Sequence, residues 1–364
     1  MSKITDVKVA VVEIPLKTTW ETFLYSTSVR AHAIVQVTTE DGIKGYGEAS
    51  PAPAFMGESA YTIETVLNRH LIPAVLGQNV LDISLLNERM DLFIDGNTAA
   101  KAALDIAFHD AAGKTLKVPV YVLLGGKKRD RIELAWSVGL KDFETSVQEA
   151  KDRMKQGFKV MKVKVGHDIV KDAALVKRLR EEFGEKVPLR MDANQGFTPA
   201  DALTLLERVR EYDPECFEQP CRKWDLDGMA RVRKNPWAIP VMADESISSL
   251  HDARNVVMAG AADLFNIKVG KVGGLYRACQ VAALVESSGY RAGAGSNLEL
   301  GIGEAASVHF LTSQAALSLP SDALCGTELH SGNVVTNPMR MQDGVLSCPD
   351  TPGLGVEVDP SIFA

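Results

Sequence analysis

The chain has 364 residues, 46% of them apolar, and a formal net charge of −7. That length allows two domains, the apolar share is ordinary for a soluble globular fold, and the acidic balance argues against a nucleic acid or an anionic membrane as partner. No apolar run is long enough to span a bilayer. Residues 1–6 hold no apolar core of a signal peptide, and the five cysteines show no metal spacing, which suits reduced thiols in a cytoplasm.

Residues 1 to about 125 read as α+β. Residues 8–14 form a strand that Pro15 should end. Residues 33–38 and 45–49 flank Glu40-Asp41-Gly42, a hairpin signal. Helices are expected near 59–76, 81–94 and 98–115, the last carrying an alanine-rich run around Lys101 with high helix propensity. Leu123-Leu124-Gly125-Gly126 marks the passage into a second unit. There, apolar runs recur at about 133–138, 160–165, 188–193, 215–218, 240–244, 263–268, 291–295 and 322–327, with helical patterns such as 173–182 and 200–210 between them.

Charged residues close several of these runs. Lys162 and Lys164 lie in one, and Asp192, Glu218, Asp244 and Lys268 end the next four at spacings of 26, 26 and 24 residues. A (β/α)₈ barrel of about 250 residues divides into strand-plus-helix units of that size, and its catalytic residues come from the C-terminal ends of several strands. Three carboxylates on adjacent strand ends offer hard oxygen ligands, suited to Mg²⁺, with Mn²⁺ as an alternative, and not to zinc. Their summed charge in a closed pocket calls for a divalent cation. A substrate carboxylate on that cation could accept the charge that develops when its α-proton leaves, as an enediolate.

Lys164 and Lys268 would stand on opposite faces of that carbon. Cations nearby and exclusion of water are expected to lower their pKa, so that they act as bases near neutrality. Lys162 shares the inward face with Lys164 by the period of a strand and is assigned to the substrate carboxylate and to tuning Lys164. Asn194 and Glu245 should support the ligands from behind. Glu299 and Glu328, where strands seven and eight should end, are candidate substrate contacts, as are Trp20 and Phe55 in loops of the first unit.

Taken in order, Lys162-x-Lys164, Asp192-Ala193-Asn194, Glu218-Gln219-Pro220, Asp244-Glu245-Ser246 and Lys268-x-Gly270 form a specific set. With Asp95-Gly96-Asn97-Thr98, Gly295-Ser296-Asn297-Leu298-Glu299, Gly326-Thr327-Glu328-Leu329 and Pro352-Gly353-Leu354-Gly355, they resemble the muconate-lactonizing subgroup of the enolase superfamily over essentially the whole chain. The resemblance implies an α/β fold: a modified (β/α)₇β TIM barrel over 126–328, an α+β capping domain over 1–125, and a segment 329–364 that returns to complete the cap. It implies capping loops, here 17–25 and 51–58, that cover the barrel mouth. A Lys or His base working with one or two Mg²⁺ is the established pattern of that superfamily. The substrate would be a small-molecule carboxylate. Residues 242–247 and 325–329 resemble muconate-type cycloisomerases, and a cycloisomerase is the leading expectation, although those enzymes carry Asn where Val272 stands here and differ in the first capping loop. Two lysines also suit a racemase or epimerase of N-substituted amino acids or dipeptides, and a dehydratase is a further member of the same chemistry. Dipeptide epimerases carry Asp-x-Asp at the eighth strand, which Thr327-Glu328 does not supply. Octamers occur in the subgroup, so a homo-oligomer is expected.

Overall fold

The computed structural model describes residues 2–323 and 325–364. Strands β1 (Ile4–Glu21), β2 (Ser26–Thr39) and β3 (Lys44–Ala49) form an antiparallel sheet in that order. The β2–β3 turn needs a left-handed residue, and Gly42 provides it at φ 79°. The helix Thr98–Leu116 lies across this sheet, buried from Ala99 to Gly113. Gly45 and Gly47 make the approach possible, because a Cβ at either would run into the backbone carbonyls of Ala107 or Ala103.

The expected helix near 59–76 is present with an irregularity: Ala60–Val66 passes through a π-helical turn, Leu67–Leu71, into Ile72–Val75. Pro73 has no N–H to give to the ladder, and Ile72 N–H reaches back to Leu67 O. Strand one does not stop at Pro15. It continues to Glu21 beyond a register shift, with Trp20 opposite Thr27. The proline removes one ladder bond, and its carbonyl is used by Ser331 N–H instead.

The second unit is a curled sheet of seven parallel strands: β5 (Ala135–Val138), β6 (Val160–Lys164), β7 (Leu189–Asp192), β8 (Cys216–Glu218), β9 (Val241–Ala243), β10 (Leu264–Ile267) and β11 (Arg291–Ala294), each beside its chain neighbour. Helices such as Ile169–Phe183 and Pro199–Val209 connect them. A short pair, β4 (Ile132–Glu133) with β12 (Val345–Leu346), lies beneath. The strands are short and buried on both faces, as parallel strands flanked by helices must be.

The run expected as an eighth strand, 322–327, is not one. Residues 317–322 cross between β11 and β5 through single bridges, Leu317 to Ala292 and Ser321 to Leu134. Pro320 interrupts any regular ladder, Asp322 N–H turns to Ala294 O, and Cys325–Leu329 is a short helix. Leu324, in the same run, lies outside the described residues. Residues 330–364 pack on the first unit: Leu354 N–H bonds the buried Asp110 carboxylate at 2.9 Å, and Phe363 stacks on Tyr46. Among the described residues no helix is long and apolar enough to cross a membrane.

The close sheet–helix contact is testable. Gly47→Ala should lower stability by about 1–3 kcal/mol through overpacking, read as a lower melting temperature. Gly42→Ala, with open space around its Cβ, should cost only the left-handed backbone, about 1 kcal/mol. Equal losses would contradict the packing.

Candidate active site

The parallel register brings the charged strand ends side by side. Lys164 pairs with Asp192 across β6 and β7, and Asp192 with Glu218 across β7 and β8. Asp244 follows the last residue of β9, and Lys268 the last of β10. Beyond the carboxylates the backbone turns away sharply: Asn194 and Gln195 have φ of 41° and 72°, and Gln219 has 35°. Such strained residues persist only where surrounding bonds hold them. Gln219 is held in this way, its amide oxygen accepting from Asp244 N–H and Ser246 N–H.

All five charged side chains are buried. Lys164 Nζ stands 2.6 Å from Asp192 Oδ2 and 2.7 Å from Asn194 Oδ1. Asn194 in turn donates to Glu245 Oε1 at 2.9 Å, so both expected supporting residues join one network. At the other end, Lys268 Nζ lies 2.8 Å from Asp244 Oδ2. No other donor reaches that oxygen. Lys162 reaches Glu218 Oε2 at 3.2 Å and Asp192 Oδ2 at 3.7 Å. Trp20 and Phe55 close the two ends, their rings 6.0 Å from Lys164 Nζ and 5.6 Å from Lys268 Nζ. Both were expected in loops; Trp20 lies on β1 and Phe55 on the one-turn helix Pro53–Met56 beyond β3.

Three partners were not singled out in the sequence. Asp322 accepts from Lys162 at 2.5 Å, so Lys162 is tied down and not free at the mouth. Lys271, fully buried, sits 2.6 Å from Asp244 Oδ1. Asn266 donates to Glu218 Oε1 at 2.7 Å. Lys271 follows Lys268 by three residues, a helical neighbour's spacing, and that was the available signal.

One expected contact lies elsewhere. Glu328 belongs to the helix Cys325–Leu329 and pairs with Arg153 at 2.9 Å, partly exposed. With no eighth strand to carry it, it does not reach the carboxylates. Glu299 is buried, but its Oε2 accepts from Ser296 Oγ and Asn297 N–H in its own turn.

The electrostatics follow from burial and crowding. Burial first, then Asp192 and Asp244, push the Glu218 carboxyl up to about 8, against the pull of Lys162. Burial likewise lifts Glu245 to about 7, with Asp244 and Asp192 adding to it. Burial works to raise Asp244 too, but Lys268 and Lys271 outweigh it and hold it below the usual carboxylate range. Lys268 departs from expectation. Burial disfavours its ammonium, yet Asp244 and Glu245 overcome that and raise its pKa. A lysine resting on a carboxylate keeps its proton unless that carboxylate's charge is taken up elsewhere.

The donor set fits a hard divalent cation. It is all oxygen, it includes one carboxylate oxygen without a hydrogen bond, Asp244 Oδ2, and its members raise one another's pKa. Among the described residues no three acid, imidazole or thiol side chains already form a coordination cage; lysine amines sit against each of the three carboxylates.

Comparison with known proteins gives consistent matches. Residues 3–125 match the model of the mandelate racemase / muconate lactonizing enzyme N-terminal domain, and residues 145–362 the enolase C-terminal domain-like model. The chain is 32% identical to the L-Ala-D/L-Glu epimerase of Bacillus subtilis (97% of this chain, 96% of that one). It is 33% identical to muconate cycloisomerase 1 of Rhodococcus opacus (98% and 96%). The crystal structure of the dipeptide epimerase from Enterococcus faecalis, complexed with Mg and L-Leu-L-Tyr, superposes with a TM-score of 0.93 at 33% identity, covering 98% of this chain and 99% of that one.

The raised Glu218 pKa has a consequence for stability. A carboxyl whose folded pKa lies above its unfolded value stabilises below the unfolded value and loses that contribution as pH rises towards the folded one. In chelator-treated protein, Glu218→Gln should therefore raise the melting temperature at pH 9 by about 2 °C or more, with the difference shrinking towards pH 5. A lower melting temperature at pH 9 would contradict the crowding of these carboxylates.

Proposed function

The chain belongs to the mandelate racemase / muconate lactonizing enzyme family of the enolase superfamily, its relatives include epimerases, racemases and cycloisomerases, and we propose that it moves the α-proton of a carboxylate substrate between two lysines with Mg²⁺ as cofactor. The observation that carries this reading is the row Lys164–Asp192–Glu218–Asp244–Lys268, in which each outer carboxylate touches the lysine at its own end of the row, at 2.6 and 2.8 Å. When bound by Asp192, Glu218 and Asp244, a divalent cation would supply positive charge opposite the substrate carboxylate and draw the acids' charge away from the lysines.

The chain's own groups then divide the work. One lysine takes the α-proton, so the C–H bond breaks, an N–H bond forms, and the electron pair spreads onto the substrate carboxylate. Asn194 and Glu245 orient Lys164. Asp322 and Glu218 hold Lys162 as a fixed positive charge beside the row. Trp20 and Phe55 exclude water above both amines, which strengthens every charge interaction beneath them.

Matched lysines at the two ends favour a racemase or epimerase, in which the second lysine returns a proton to the opposite face. The finer substrate class would be an N-substituted amino acid or a dipeptide. The second reading is a muconate-type cycloisomerase, in which one lysine transfers the proton and the other contributes charge; the similarity to muconate cycloisomerase 1 supports it.

Proton exchange in D₂O separates the two. N-acyl amino acids, dipeptides and muconolactone would be followed by NMR with Lys164→Ala and Lys268→Ala. A racemase or epimerase predicts that each variant exchanges only one enantiomer, with turnover down by about 10²–10⁴. A cycloisomerase predicts one indispensable lysine, and loss of water would instead identify a dehydratase. Chelation should abolish all exchange and Mg²⁺ restore it. Wild-type turnover in both variants would sink the two-lysine mechanism.

A further inference from the structure

The proton-transfer scheme above leaves one buried ammonium without a task. Lys271 exposes 1% of its surface and donates to Asp244 twice, to Oδ1 at 2.6 Å and to the main-chain carbonyl. It comes from the helical turn Val269–Val272 that follows Lys268. Gly273 and Gly274 end that turn at φ 100° and 103°, and a Cβ on Gly274 would run into Asp105 of the helix Thr98–Leu116. Asp105 in turn accepts from Tyr276 N–H at 3.2 Å. The turn that carries Lys271 is therefore seated against the first unit, with its amine on Asp244.

The three carboxylates of the row divide their oxygens in the same way. Asp192 Oδ1 accepts from Asn194 N–H at 2.9 Å, while Oδ2 holds Lys164. Glu218 Oε1 accepts from Asn266 at 2.7 Å, and Lys162 lies against both of its oxygens, at 3.4 and 3.2 Å. Asp244 Oδ1 is taken by Lys271, and Oδ2 has only Lys268 beside it. Each carboxylate thus commits one oxygen to a donor that moves no proton: a backbone N–H, the Asn266 amide, or Lys271. The number of free oxygens bears on the choice of ion. Ca²⁺ takes about six to eight oxygens, with carboxylates often bidentate, whereas Mg²⁺ demands a near-ideal octahedron and keeps several of its waters. Carboxylates limited to one oxygen each suit the octahedron and deprive the larger ion of ligands.

We propose that Lys271 and Asn266 are positioning residues that confine Asp244 and Glu218 to one free oxygen each, and so select Mg²⁺ against Ca²⁺. This rests on the reading of Asp192, Glu218 and Asp244 as the holders of a divalent cation. The selectivity itself is assigned to donors outside that set, which touch neither the cation nor the substrate and act through the carboxylates they bind.

The test is a ratio of two affinities, measured without substrate. Chelator-treated protein is loaded with Mn²⁺, and Mg²⁺ or Ca²⁺ is titrated in while EPR follows the Mn²⁺ released to solution. Lys271→Met and Asn266→Leu each free one carboxylate oxygen. Each should raise the affinity for Ca²⁺ relative to Mg²⁺ by about 10-fold or more, the effect on metal affinity typical of a partner behind a metal ligand. The ratio separates ligand number from charge, because losing the Lys271 ammonium favours both divalent ions and Asn266→Leu changes no charge. A merely structural role would lower the melting temperature and leave the ratio where it is. A ratio unmoved in either variant would overturn the proposal. Where a variant fails to fold, wild-type crystals grown with Mn²⁺ decide: Asp244 should coordinate through Oδ2 with Oδ1 still on Lys271, and a bidentate Asp244 would overturn the proposal. Failure of the underlying reading looks different. Wild-type protein that holds no displaceable Mn²⁺ would remove the cation site and the selectivity together, whereas bound Mn²⁺ with unmoved ratios removes the selectivity alone.

Discussion

Three carboxylates that cannot all keep their charge unaided stand in one buried row, and most of the surrounding structure answers that constraint. Desolvating a single ion costs several kcal/mol in a real protein. Here Asp192, Glu218 and Asp244 each expose 1% of their surface. Lys164 and Lys268 come from the ends of neighbouring strands, and Lys162 and Lys271 add two further ammonium groups against Glu218 and Asp244. Glu218, in the middle, holds its proton more readily than either outer acid, because burial, and then the charges of Asp192 and Asp244, disfavour its carboxylate. The outer acids are held below their usual range by the lysines beside them.

The same constraint explains why the first unit covers the mouth. Charge interactions of this kind weaken when water reaches them. The long β1–β2 hairpin brings Trp20 over one lysine, and the short helix Pro53–Met56 after β3 brings Phe55 over the other. Ser50 and Arg30 both donate to Asn297 O, so the first unit is tied to the loop after β11. A buried chain, Glu48 to His32 to His330, adds a second fastening between the sheet and the C-terminal residues.

Much of this was legible in the sequence because parallel strand-plus-helix units repeat at nearly constant length. The spacing of Asp192, Glu218, Asp244 and Lys268 therefore reported adjacency in space, and the structure brings those side chains together. Contacts set by tertiary packing left weaker marks. Asp322 was hidden in a run read as a strand, which Pro320 prevents from forming a ladder. Glu328 was placed at the end of that strand and instead sits on a helix facing Arg153. Pro15 looked like a strand end, but the hairpin resumes pairing at Trp20 in a shifted register, and no local pattern announces that. The lysine pKa was anticipated from burial and like charges alone; the carboxylate in contact with Lys268 reverses its direction.

The central claim is that the three carboxylates hold one divalent cation between the two lysines. Crystals grown with Mn²⁺, examined by anomalous scattering, test it most directly. The account predicts one strong peak bounded by Asp192, Glu218 and Asp244, with oxygen ligands at about 2.0–2.4 Å and Lys164 and Lys268 on either side of it. A fully occupied Mn²⁺ elsewhere, or no peak between these side chains at saturating Mn²⁺, would contradict it.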